Sequence, residues 1–145
     1  MMQFDDPMSP LPRLRLDDVR IATVDGERCR ARVSLTGRDG EPRSAEWEGA
    51  ASPAGRLRAV AEATLAALRQ HTATALSIEL LGVKSIKAFD NTLVVASAMV
   101  RWGGNAERVV GSCIQPIENP RGAALAVLDA TNRLVGYNLQ KAMTS

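Results

Sequence analysis

The stretch RVVGSCIQPIENPRGAALAVLDATNRLV, residues 108–135, joins the two patterns that decide the fold. Its first part is apolar and strand-like, with small residues at 111–113. Asn119 and Pro120 then open an alanine-rich segment, and asparagine is a good helix cap while proline fits the first helical position. The passage therefore predicts a strand that leads into a helix, with small side chains before the junction.

A fainter copy of the passage occurs earlier in the chain. Residues 49–52 are again small, and Ser52 and Pro53 predict the start of a helix of about 18 residues. The two predicted helices share one spacing of small and apolar residues, four, three and four: Leu57, Ala61, Thr64 and Leu68 in the first, and Ala124, Leu128, Thr131 and Val135 in the second. This spacing predicts one buried stripe on each helix.

Three strand-like segments precede each helix. They are residues 14–24, 27–37 and 43–50 in the first half, and 75–89, 92–102 and 107–116 in the second. We therefore predict an α+β fold of two βββα units, an internal duplication with a pseudo-twofold, in which the helices pack on antiparallel sheet. The predicted organisation is one domain over 13–138, with units at about 13–72 and 73–138, a flexible tail at 1–12 and a C-terminal tail at 139–145.

The second segment has the clearest strand pattern. Small and apolar residues alternate with Arg28, Arg30 and Arg32, which buries one face and exposes the other. The arginines fit either a solvated sheet face or an anion-binding surface. Before this strand, Asp25 and Gly26 predict a two-residue hairpin turn, because both residue types tolerate positive φ.

Composition excludes several classes of protein. The 145 residues carry a formal charge of +2 with no concentrated basic face, so we expect no nucleic-acid binding. No apolar run approaches the ~18 residues of a membrane span, and the N-terminus does not resemble a signal peptide. We expect a cytoplasmic protein. Aromatic residues make up only 3%, so the core must be built from smaller side chains.

The sequence offers little for catalysis or for cofactors. His71 is the only histidine, and we expect it to stabilise the end of the first helix. Cys29 and Cys113 lie far apart inside apolar patterns, which predicts two reduced, buried thiols, no metal site and no catalytic pair. No phosphate-binding glycine motif occurs, and we expect no cofactor. An enzyme that uses Cys113, whose thiol would be activated by a helix N-terminus, is the remaining catalytic alternative.

The small residues before each helix have two explanations. They allow close packing of the helix on the sheet, or they let a ligand approach main-chain N–H groups at a helix N-terminus, where a carboxylate is favoured. On the second explanation a zwitterionic amino acid or a small organic acid would fit the site.

Two passages resemble the C-terminal regulatory domain of isopropylmalate synthases: VVGSCIQPIENPRGAALAVLDATNRLV at 109–135 and EWEGAASPAGRLRAVAEATLAAL at 46–68. The resemblance spans 14–138 and implies two βββα units that pair in a dimer and bind leucine for feedback inhibition. The chain departs from the family at Ala51 and Ser52, where the family is richer in glycine. It also departs near Glu79, where the family tends to place an acid followed by an aromatic, so the ligand stays open. The catalytic barrel of the family is missing.

These observations together predict a non-catalytic, homodimeric module that binds an amino-acid-like or organic-acid ligand. Backbone donors near the helix starts would hold a carboxylate, and Glu79 or Glu118 would accept an ammonium group. The predicted ligand-binding residues are Gly49, Ala50, Ala51, Ser52, Glu79, Gly111, Ser112, Cys113 and Glu118. The alternative is a structural dimerisation unit, or a partner subunit for a separate enzyme, with no ligand of its own.

Overall fold

The computed structural model describes residues 14–37, 39–72, 76–115 and 119–144, and it describes 133–144 as helical backbone only. Two units follow one another, each with three strands and then a helix. The first consists of β1 (Arg15–Thr23), β2 (Arg28–Thr36), β3 (Pro42–Ala50) and α1 (Pro53–Arg69), and the second of β4 (Ser77–Ala88), β5 (Asn91–Trp102), β6 (Asn105–Gln115) and α2 (Arg121–Thr144). The predicted α+β fold with duplicated βββα units is confirmed.

Each unit forms its own three-stranded antiparallel sheet, in the order β1-β2-β3 and β4-β5-β6. α1 packs on β2 and β3 and also contacts β4, while α2 packs on β5 and β6. The two helices contact each other, so the units share one apolar core. α2 is helical to Thr144, beyond the predicted domain boundary at 138. The predicted tail at 1–12 lies outside the described residues.

The central strand of the first sheet shows why its alternating pattern folds this way. Cys29, Ala31, Val33 and Leu35 have 0% exposure and face α1. On the outer face, Arg30 forms an ion pair of 2.6 Å with Glu48, and Arg32 lies 3.9 Å from Glu46. Opposite charges across neighbouring strands stabilise a sheet modestly and keep the face hydrated. The arginines therefore belong to a solvated, ion-paired surface.

Both helices begin at the predicted caps. The Ser52 side chain accepts a hydrogen bond of 3.1 Å from the Gly55 backbone N–H, and Pro53 occupies the first helical turn. At α2, the Asn119 side chain accepts a hydrogen bond of 2.8 Å from the Arg121 N–H. These bonds satisfy backbone donors that have no partner inside the helix, so the local sequence sets both starting points.

His71 makes different contacts from the interaction expected at the end of α1. Its Nε2 lies 3.1 Å from the Leu35 carbonyl oxygen, and its Nδ1 lies 3.1 Å from the Arg43 guanidinium. A carbonyl can only accept, so Nε2 carries the hydrogen and Nδ1 accepts from Arg43. The ring thus joins the end of α1 to β2 and β3.

The hairpin turn predicted at Asp25 and Gly26 is wrong. Four residues, 24–27, separate β1 from β2, and neither Asp25 nor Gly26 has positive φ. Instead the Asp25 carboxylate accepts hydrogen bonds from the Glu27 and Arg28 N–H groups, at 2.8 and 2.9 Å. Aspartate favours such side-chain turns, and these bonds lower the pKa of Asp25. Two-residue turns with positive φ join β4 to β5 at 89–90 and β5 to β6 at 103–104.

The helices approach the sheets so closely that glycine is required at one contact in each unit. A Cβ atom on Gly111 of β6 would lie 2.2 Å from the Ala130 nitrogen and 2.3 Å from the Ala126 oxygen, both in the backbone of α2. A Cβ atom on Gly55 of α1 would lie 2.2 Å from the Ala50 oxygen of β3. The contact is made by a strand glycine in one unit and by a helix glycine in the other.

We predict that Gly111→Ala destabilises the protein by about 2 kcal/mol or more, because the added methyl group must displace the backbone of α2. Chemical denaturation monitored by circular dichroism measures the change. Gly82→Ala is the matched control: a Cβ at Gly82 meets nothing within 4 Å, so its effect should stay within about 0.5 kcal/mol. Equal effects for the two variants would contradict the close approach of α2 to β6.

Candidate functional site

The first group of predicted site residues lies where β3 ends and α1 begins. The Ala51 N–H donates a hydrogen bond of 2.9 Å to the Glu27 carbonyl, and the Ser52 hydroxyl caps α1. The Ala50 carbonyl accepts from the Cys29 thiol at 3.3 Å, and Gly49 lies against Ala59. These residues connect β2, β3 and α1 to one another, as the packing explanation requires. Their proposed contact with a ligand stays a prediction.

The second group lies elsewhere than expected from the sequence. Gly111, Ser112 and Cys113 are paired with β5 inside β6, which continues to Gln115 before α2 begins at Arg121. Gly111 faces the middle of α2 rather than its first turn. The Ser112 N–H, on the free edge of the sheet, donates a hydrogen bond of 3.0 Å to the Asp129 carboxylate. The segment therefore serves strand pairing and helix packing at this edge.

Cys113 lacks the environment of an activated nucleophile. Its thiol is half-buried, and burial together with the nearby Asp129 carboxylate raises its pKa above the ordinary value. A helix N-terminus would have lowered the pKa. The Asp129 carboxylate on α2 opposes ionisation of the thiol, so this environment does not favour the thiolate that the catalytic alternative requires. Both cysteines are free thiols, and only Cys29 is fully buried.

Of the two acidic candidates, the structure places Glu79 away from both segments. Glu79 is exposed on β4 and forms an ion pair of 3.0 Å with Arg101 on the outer face of the second sheet. Glu118 lies outside the described residues. The small-residue segments belong to different sheets, and each packs on its own helix.

The structure instead brings the two helix starts together around a cavity of about 250 Å³. Its walls come from β1, from the first turns of α1 and from the residues that precede α2. The lining residues are Ile21, Pro53, Arg56, Leu57, Asn119 and Pro120. Arg56 and Ile21 were not predicted as site residues. Only the two cap-and-proline pairs, Ser52-Pro53 and Asn119-Pro120, marked this region in the sequence.

Arg56 gives the cavity a positive charge held in a fixed position. Its Nε donates a hydrogen bond of 3.0 Å to the Ala51 carbonyl, which anchors the guanidinium at the start of α1. Among the residues that the structure describes, this bond uses only Nε and leaves the donors of the two terminal nitrogens without a partner. Two helix N-termini add partial positive charge, while Ile21 and Leu57 supply apolar wall. The arrangement suits a small anion with an aliphatic part.

Two polar atoms beneath the start of α2 have no hydrogen-bond partner within the described residues. They are the Thr92 hydroxyl, which is fully buried, and Gln115 Oε1 on the neighbouring strand. A Cβ atom on Gly122 would lie 2.6 Å from Gln115 Oε1, so α2 passes directly over this pair. Neither residue lines the cavity, and we assign them no part in it.

Comparison with known proteins does not identify the chain: no family model matches the sequence, and no curated protein matches it. Within the described residues, no three histidine, cysteine, aspartate or glutamate side chains cluster in a way that could hold a metal ion. Over the same part of the chain, none of the helices has the length and apolar character needed to cross a lipid bilayer.

We predict that alkylation of Cys113 by iodoacetamide follows a pH profile with its midpoint above 9.0, the ordinary thiol value, because burial and Asp129 disfavour the thiolate. Asp129→Asn should shift the midpoint downward by removing the negative charge. Mass spectrometry of the labelled protein measures the rate. Cys113→Ala is the control and should abolish the labelling, since Cys29 is buried. A wild-type midpoint below 9.0 would contradict this environment.

Proposed function

We propose that this protein is a non-catalytic, homodimeric regulatory module that binds a small amino-acid-like or organic-acid ligand between the starts of its two helices. The single observation that supports the ligand most is the convergence of Arg56 and both helix N-termini on one cavity. A guanidinium and helix N-termini are both favourable partners of a carboxylate.

The cavity also fits the rest of such a ligand. At about 250 Å³ it lies below the ~300–1,000 Å³ of pockets for drug-sized molecules, which favours a metabolite of amino-acid size. Ile21 and Leu57 offer apolar contact to an aliphatic side chain. In this proposal the residues predicted at the end of β3 act indirectly, because the Ala51 carbonyl positions Arg56.

The ligand class and the regulatory role come from the resemblance to isopropylmalate synthase regulatory domains, whose expected order of strands and helices the fold shares. In this proposal the enzyme that the module regulates is a separate partner. The second candidate, a dimerisation or partner subunit without a ligand, is favoured by the exposed apolar residues of the β4-β5-β6 sheet.

Isothermal titration calorimetry against a panel of amino acids, 2-oxo acids and 2-hydroxy acids tests the ligand. We expect one member of the panel to bind, and Arg56→Gln to weaken that binding about 10- to 100-fold, the range for a lost hydrogen bond to a charged group. Arg58→Gln is the matched control. Arg58 lies on the same helix and pairs with Glu62 at 3.2 Å, outside the cavity.

Absence of binding across the panel at millimolar concentration would overturn the ligand proposal. Equal affinities of the Arg56→Gln and Arg58→Gln variants for a bound panel member would instead show that the ligand binds away from this cavity. Circular dichroism of both variants establishes that they are folded, since Arg56→Gln also removes the hydrogen bond to Ala51.

A further inference from the structure

The outer faces of the two sheets differ in chemistry. The first is covered by paired charges, such as Arg30 with Glu48. The second exposes large apolar side chains: Leu81 is 39%, Ile86 41%, Val110 61% and Ile114 68% exposed. Large exposed apolar side chains that share one face are typical of interaction sites on soluble proteins.

On this second outer face the strand register places one residue of β4, one of β5 and one of β6 side by side. We call each such row of three paired residues a level. Four levels are Ile86–Leu93–Ile114, Lys84–Val95–Ser112, Gly82–Ser97–Val110 and Glu79–Met99–Arg108, with Leu81 beside Gly82 at a β-bulge. Apolar residues meet at the first level. The last level carries an acid on one edge strand and a base on the other.

We propose that a second copy of this chain binds this face, about a twofold axis that runs parallel to β5. The inference rests on the homodimer of the proposed function and names its face and symmetry. Such an axis places β4 of one copy opposite β6 of the other at the same level. Ile86 then faces Ile114 of the second copy, and Glu79 faces Arg108 of the second copy. Each contact occurs twice.

The alternative in-plane axis, perpendicular to the strands, lacks this complementarity. This axis places β4 of one copy opposite β4 of the other, with the first level of one copy against the last level of the other. Glu79 of one copy then meets Ile86 of the other. Arg108 would likewise meet Ile114. A charge buried against an apolar side chain is costly, so the register favours the axis along β5. Face-to-face sheets pack with their strands nearly aligned, which both axes allow, so the choice between them rests on the register.

The size of the face is adequate for a dimer. Three strands about 4.8 Å apart, with about ten residues at ~3.4 Å each, project an area on the order of 500 Å². The accessible surface of the side chains exceeds the projection, which brings the face near the ~600 Å² per partner at which stable interfaces begin. Leu93, Val95 and Met99 form the centre of the face on β5, and its charged residues lie on β4 and β6, except for Arg101 at one end of β5, which pairs with Glu79.

Sedimentation velocity of the full chain over 10–200 µM tests the proposal, at roughly physiological ionic strength. We expect the wild type at twice the 15.5 kDa of one chain. Val110→Glu and Ile114→Glu should each raise the dimer dissociation constant at least 100-fold. The matched control is Ala22→Glu, which places the same charge at an exposed position of the first sheet and should leave the dimer unchanged.

A charge swap tests the axis. Glu79→Arg and Arg108→Glu should each weaken the dimer about tenfold by placing like charges together, and the double variant should recover to within about threefold of the wild type. A double variant that dimerises no more tightly than Glu79→Arg alone would overturn the axis, since both variants lose the pair with Arg101 within the chain.

The remaining outcomes separate the parts of the proposal. A dimer insensitive to Val110→Glu and Ile114→Glu would overturn this face and leave a homodimer. A monomeric wild type would overturn the face and the homodimer, while ligand binding in the cavity, measured by calorimetry, would stand or fall independently.

Discussion

The close approach of each helix to its sheet is the constraint on which the rest of this structure depends. At Gly111 and at Gly55 the backbones of helix and strand come near enough to exclude even a methyl group. Alanine is the most frequent residue among the described buried side chains of the helices, and examples are Ala59, Ala63 and Ala126. With aromatic residues at 3% of the chain, the core cannot be filled by large side chains, so dispersion contacts are gained by moving backbones together.

Sequence alone was sufficient for the order of the elements, because the signals for them are local. The alternation in β2 and the caps at Ser52 and Asn119 each act within a few residues, and the structure has them where they were predicted. The turn at Asp25 was missed for an equally local reason. The Asp25 side chain accepts hydrogen bonds from the backbone N–H groups of Glu27 and Arg28, and this arrangement competes with a two-residue turn. The sequence pattern does not show which of the two turns is lower in free energy.

The candidate site was less predictable, because small residues have two physical uses and the sequence does not separate them. Gly111 faces the middle of α2, a relation set by the length of β6 and by the position at which α2 starts. Arg56 lines the cavity only because β1 brings Ile21 beside α1 and because α2 starts next to α1. Contacts between segments so distant in sequence depend on tertiary packing, for which single-sequence patterns carry little information.

The two units share an architecture but not a surface, and this difference bears on how the proposed ligand site and the proposed dimer face would be linked. The cavity lies between the helix starts of both units, and α2 rests on the inner side of the sheet whose outer side is apolar. A ligand in the cavity affects association at that outer face only if it binds the dimeric and monomeric forms with different affinity, and dimerisation then changes the ligand's affinity by the same factor. The physical link available is α2 itself. At Gly111 the backbone of α2 lies directly against β6, with no space between them. A displacement of the start of α2 must therefore move the sheet as well, or be absorbed at Asn119 and Pro120.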